Sequence, residues 1–138
     1  MWRSYALLSA LFAALTAIFA KIGVRGLDSD LATAIRTTVV LFLTWGIVIA
    51  AGEASSIRTI GRTSWTFLIL SGLATGLSWL CYFKALSLGD VSRVAPIDKL
   101  SVVFTILLAA LLLKEPVTPR TLLGGALIAA GSVIMLIR

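Results

Sequence analysis

Twelve basic and six acidic side chains are spread through 138 residues that are 59% hydrophobic, and those able to do chemistry are the ones set among apolar neighbours. Asp98 and Lys99 stand side by side in the stretch Val-Ala-Pro-Ile-Asp-Lys-Leu-Ser, which leads into an almost wholly apolar run ending at Glu115. Lys84 lies near the end of the preceding apolar run with Trp79 just before it, and Arg36 sits one to two turns inside an earlier one. An ionised group at the middle of a helix in lipid costs about 2.5 to 3.5 kcal/mol on insertion scales, so a chain that keeps several is expected to use them. Groups of these types can pair across helices, orient a charged solute or carry a proton. Asp98, Lys99, Lys84, Arg36 and Trp79 are therefore the candidate substrate-binding or cavity-lining residues. Neighbours i and i+1 on a helix point about 100° apart and do not face each other, so Asp98 and Lys99 are expected not to cancel. Each then needs a partner on another helix, with Lys84 and Arg36 as candidates, or water in a cavity.

The residue inventory removes several other chemistries. The chain has no histidine and a single cysteine, Cys81, which leaves no internal disulfide, no nucleophilic triad of the usual kinds and no ordinary zinc site. No catalytic residue, metal or cofactor is expected. The net charge of +6 and the isoelectric point near 10.3 would suit a nucleic-acid binder if the charges were clustered. They occur singly at the ends of apolar runs, as membrane-flanking anchors do, and nucleic acid is not an expected partner.

The elements that must position these groups follow from hydropathy. A mean hydropathy of +1.06 and 13% charged residues, against roughly 25% in soluble domains, mark an integral membrane protein. Five apolar segments can be drawn, about residues 4–22, 31–51, 64–87, 91–113 and 119–137, each near the ~20 residues that a ~30 Å hydrocarbon core requires. The fold class is all-α: one polytopic membrane domain over residues 1–138, a bundle of five transmembrane helices. A signal peptide over the first segment is disfavoured, because the run exceeds ~7–15 residues and Ile18-Phe19-Ala20 is not a small-x-small cleavage site. Asp30 is placed to cap the second helix, Gly89 to end the third, and Pro119 to open the fifth, with Arg138 as its closing charge. Arg36 and Lys84 could instead snorkel to the interface.

Pro96 leaves two readings of the fourth helix. If the helix begins there, Asp98 occupies its third position and is favoured by the helix dipole; if it begins near Val91, Asp98 lies two turns deep. Small residues recur in the third helix, at Gly72 and Gly76, and in the fifth, at Gly124, Gly125 and Gly131, and these are expected to make close helix contacts. A weak internal echo relates Lys21, Asp28 or Asp30, Ala34-Ile35-Arg36 and Val39-Val40 to Lys84, Asp90, Pro96-Ile97-Asp98 and Val102-Val103, with a gap of one residue.

The strings Tyr-Phe-Lys-Ala-Leu-Ser-Leu-Gly-Asp from Tyr82, Val-Ala-Pro-Ile-Asp-Lys-Leu-Ser from Val94, Leu-Leu-Leu-Lys-Glu-Pro-Val-Thr from Leu111 and Leu-Leu-Gly-Gly-Ala-Leu-Ile-Ala-Ala-Gly from Leu122 resemble the EamA-like families of the drug/metabolite transporter superfamily. Ala34-Ile35-Arg36 resembles the arginine often found early in the second helix of those proteins. The resemblance implies a single five-helix repeat where most relatives carry two inverted copies, and it implies export or import of a small metabolite through a central cavity. Glu115 matches a glutamate recurrent at the end of the fourth helix, to be read either as a structural partner of a loop cation or as functional. The four-helix small multidrug resistance proteins match less well, since no acidic residue lies between Ser4 and Ala20.

The expected function is thus secondary transport of a small polar or amphipathic metabolite by alternating access, in lipid, in the inner membrane of a prokaryote. A non-transporting subunit packed beside another membrane protein is the alternative. An odd number of spans divides the 12 Lys and Arg residues five against seven, and the positive-inside rule then sets no strong orientation. Balanced charge on a single repeat suggests an antiparallel, dual-topology homodimer. For Asp98 an ion-pairing or substrate-orienting role is favoured over proton carriage, because nearby cations oppose the rise in pKa that carriage needs.

Overall fold

A computed structural model describes residues 1–137, so Arg138, the expected closing charge, lies outside the described residues. The described chain is helical, without strands: α1 Trp2–Gly23, α2 Ser29–Ala50, α3 Arg62–Leu88, α4 Val91–Asp98, α5 Ser101–Leu108 and α6 Pro119–Ile134. A 3₁₀ turn, Glu53–Thr59, follows α2, and a single π-helical turn, Ala109–Leu113, follows α5. Four segments are long and apolar enough to cross a membrane: Trp2–Gly23, Ser29–Ala50, Arg62–Leu88 and Val91–Leu113. The 16-residue α6 is a shorter apolar helix, about 24 Å at 1.5 Å per residue. Most large apolar side chains of these helices are exposed, as lipid-facing residues must be.

Residues 19–87 form one compact unit. Within it Gly26, at φ +74°, turns the chain after α1 in a conformation that costs glycine nothing. The cap of α2 differs from expectation: Asp28, not Asp30, occupies the N-cap and accepts from Asp30 N at 2.9 Å and Leu31 N at 3.2 Å. The early turn at Gly26 brings Asp28 to the first free amides, and Asp30 falls in the first helical turn, where the dipole still favours a carboxylate. The core of this unit holds Val24, Thr33, Phe83 and the fully buried Leu86. Lys21 Nζ donates to the Leu86 carbonyl at 2.6 Å, filling one of the acceptors that the last turn of α3 leaves without an amide. Gly89 directly follows α3, which ends at Leu88, as expected.

Residues 1–18 with 88–137 form the second unit. Of the two readings of the fourth span, the one starting near Val91 holds: Asp90 sits at the N-cap position, and Pro96 lies inside α4. Asp98 is therefore the last residue of α4 and not the third of a new helix. The span resumes at Ser101 and ends at Lys114, whose φ of +56° closes it in the left-handed conformation, with the Lys114 and Glu115 amides both donating to the Ala109 carbonyl. Thr118 caps α6 by accepting from Thr121 N at 3.2 Å, and Pro119 occupies the first turn, where its missing N–H costs nothing. α6 packs against both α4 and α5.

Candidate functional site

In the second unit the fourth span is broken eight residues, about 12 Å, from its start. Pro96 has no N–H, so the Ser92 carbonyl loses its usual donor, and the chain tightens after it. Lys99 N donates to Pro96 O at 3.0 Å and Leu100 N to Ile97 O at 2.9 Å, three-residue spacings in place of four. Ser132 of α6, 4% exposed, holds this break by donating to the same Pro96 carbonyl at 2.8 Å. The break also corrects the reading of the adjacent charges. Lys99 Nζ lies 3.5 Å from Asp98 Oδ2: α4 ends at Asp98, and from the cap position after it the long lysine side chain folds back. Their side chains remain 55% and 39% exposed, and a pair this open and long is worth at most about 1 kcal/mol. Asp98 and Lys99 are held together without being neutralised into the core.

In the first unit Arg36 of α2 lies over α3. Its Cζ is 3.9 Å from the centroid of Trp79 and 5.6 Å from that of Phe83. Contact with an indole face stabilises a guanidinium by about 0.5 to 2 kcal/mol, the larger figure when water is excluded, which offsets much of the cost of keeping the charge inside a span. The side chain is thus neither a free snorkelling group nor ion-paired: among the described residues the one ion pair is Lys99 with Asp98. Arg36 Nη1 is buried and has no hydrogen-bond partner, and leaving such a group unsatisfied costs about 1 to 3 kcal/mol or more. The hydroxyls of Thr33 and Thr37 on the same helix donate instead to main-chain carbonyls, of Ser29 and Thr33, at 2.8 Å each. Lys84 is exposed and joins no ion pair among the described residues.

Of the five packing glycines, only Gly125 lies in close contact, where a Cβ would stand 3.0 Å from Ile106 Cδ1. Gly72, Gly76, Gly124 and Gly131 would meet nothing within 4 Å, so within one chain they do not provide the close approach their spacing suggested. Spacing identifies small residues, but rotation of the helix about its axis decides which of them meets a neighbour. Ser132, Lys21 and Phe83 were not singled out from the sequence. Phe83 had a signal, since it follows Trp79 by one turn on the same face, and Ser132 had a weaker one, as the lone hydroxyl in the interior of α6. No group of residues able to hold a metal ion occurs among the described residues.

Helices of this length and hydropathy are stable only in a bilayer, and the fold defines a polytopic, all-α integral membrane protein. The model of the EamA-like transporter family matches residues 1–137, and the chain belongs to that family: it is a membrane transport protein. It is 52% identical over 134 residues, 97% of this chain and 95% of the relative, to a protein of Sinorhizobium sp. named as an uncharacterized transporter in the cobO 3' region. It is 35% identical over 91 residues, 66% of this chain and 74% of the relative, to the probable 4-amino-4-deoxy-L-arabinose-phosphoundecaprenol flippase subunit ArnE of Pseudomonas aeruginosa (strain UCBPP-PA14). No solved structure matches the chain.

Proposed function

We propose that this protein is a secondary transporter of a small polar or amphipathic metabolite, working by alternating access as an antiparallel homodimer in a bacterial inner membrane. The observation that carries the reading is the broken fourth span. Interrupted membrane helices recur in secondary transporters because they free main-chain groups and place charges where a solute crosses. Here the break sits beside Asp98 and Lys99, which are only loosely paired and are free to exchange each other for substrate. Asp98 orients the solute and Lys99 attracts an anionic part of it. Gly72 and Gly76, with open space around them in one chain, are available to a helix of a second copy.

The name of the Pseudomonas relative favours a second reading, in which the chain is one subunit of a heteromeric flippase for an amphipathic lipid-linked compound. One experiment separates the two. Purified protein is reconstituted alone into liposomes, and compounds that raise its unfolding temperature are tested for flux. Flux without any other protein, lost in Asp98→Asn while the variant stays folded, supports the homodimer. No flux alone, with flux restored by a different copurifying membrane protein, would establish the subunit reading in its place.

A further inference from the structure

We propose that Arg36 is an oxyanion-binding group, and that the protein recognises the carboxylate or phosphate of an amphipathic ligand there while the half-buried Trp79, backed by the buried Phe83, receives the apolar part. The biological role of this site rests on the transport reading above; the binding itself does not. Arg36 Cζ lies over the Trp79 ring, 3.9 Å from its centroid, a contact that uses the charge of the guanidinium and no hydrogen-bond acceptor. Its five N–H groups lie in the plane of the guanidinium, in the fork that matches two oxygens of a carboxylate or phosphate. Nη1 is buried with no acceptor, and the hydroxyls of Thr33 and Thr37 are turned to main-chain carbonyls. No carboxylate is paired with Arg36 among the described residues, whose one ion pair is at Lys99 and Asp98. A stacked, immobilised guanidinium with an unused donor inside a membrane span is short of an acceptor, and a ligand oxyanion supplies one with charge of the required sign. Beside it Phe83 is 3% exposed and Trp79 half-buried, so the rings are fixed by packing before any ligand arrives.

The anionic oxygens could belong to a dissolved compound or to a lipid headgroup, and the test separates them. Full-length protein in dodecyl maltoside micelles, which carry no phosphate, is titrated with phenylacetate, phenyl phosphate, phenylacetamide and phenethylamine, which share a ring and differ in charge. Binding is read from tryptophan fluorescence and from the unfolding temperature. The two anions are expected to bind and the neutral amide and the cation not to. Arg36→Gln should weaken the anions about 10- to 100-fold, the range for losing a charged hydrogen bond, and Arg36→Lys less. Arg58→Gln, which removes the same charge from the loop after α2, should leave binding unchanged. Repeating the titration in phosphatidylglycerol nanodiscs identifies the source: a raised unfolding temperature that depends on Arg36, with phenylacetate now excluded, assigns the site to lipid phosphate, and undiminished phenylacetate binding assigns it to a dissolved anion. The proposal is overturned if the amide or the amine binds as well as the anions, if folded Arg36→Gln binds them unchanged, or if neither anions nor anionic lipid have any effect. Should Arg36→Gln fail to fold, the wild-type charge series and Trp79→Phe, expected to weaken anion binding through loss of the stacked geometry, decide instead. Charge-selective binding without flux would defeat only the transport reading, and flux indifferent to Arg36 would defeat only this one.

Discussion

Gly124 and Gly125 are adjacent, identical and both in α6, yet they should respond oppositely to added bulk. A Cβ on Gly125 would stand 3.0 Å from Ile106 Cδ1, about 0.5 to 1 Å inside the optimal carbon–carbon separation, while one on Gly124 would meet nothing within 4 Å. The clashing atom is the tip of a flexible side chain. For Gly125→Ala the rotation needed at Ile106 costs about 0.5 to 1.5 kcal/mol, and the helix gains up to about 1 kcal/mol when alanine replaces glycine, so the net change should be close to zero. Gly125→Leu adds further carbons between α5 and α6 that no single rotation accommodates, and should destabilise by about 1 to 3 kcal/mol or more. Gly124→Leu should stay within about 0.5 kcal/mol of the parent, since the half-buried Gly124 has open space where its Cβ would stand. Ile106→Val removes Cδ1 at a cost of about 0.5 to 1.5 kcal/mol alone, and most of that cost should vanish in the Gly125→Ala background. Reversible unfolding in mixed micelles with increasing dodecyl sulfate, followed by tryptophan fluorescence, measures all five variants. Equal stability of the two leucine variants, or strict additivity of Ile106→Val and Gly125→Ala, would show that the α5–α6 contact is not as described.

Two shorter predictions concern the break and the end of the fourth span, and a third the orientation of the chain. Ser132→Ala removes the hydroxyl that donates to Pro96 O and should cost about 0.5 to 1.5 kcal/mol in the same unfolding assay, whereas a serine donating to lipid-exposed backbone would show no change. Lys114→Gly relieves a left-handed φ of +56° at a side-chain-bearing residue and should stabilise by about 1 kcal/mol; destabilisation would mean that the lysine side chain makes contacts outweighing its backbone strain. Topology reporters fused to each terminus should label both sides of the membrane in comparable amounts, and a single exclusive orientation would rule out the antiparallel pair.

Hydropathy alone located the four long apolar helices, because partition between lipid and water is a property of composition along a segment and needs no knowledge of its neighbours; the fifth segment, drawn to residue 137, forms the shorter helix Pro119–Ile134. Proline chemistry marked position 96, a ring without an N–H two residues before two charges, but left open whether the helix begins there or is interrupted there. What that break does to its neighbours was not legible. Asp98 meets Lys99 where α4 ends, and a rule for residues inside a regular helix predicts the opposite.

The contacts between helices were decided by the tertiary structure. Arg36 and Trp79 are 43 positions apart, and only the docking of α2 on α3 puts the guanidinium on the indole. Ser132 reaches the Pro96 carbonyl across 36 positions for the same reason, and a rotation of α6 by one residue would exchange the roles of Gly124 and Gly125. In water such rotations are announced by an apolar stripe on one side of a helix. In lipid the side that faces the bilayer and the side that faces a neighbouring helix are both apolar, so the pattern that would set rotation is missing from the sequence and only packing supplies it.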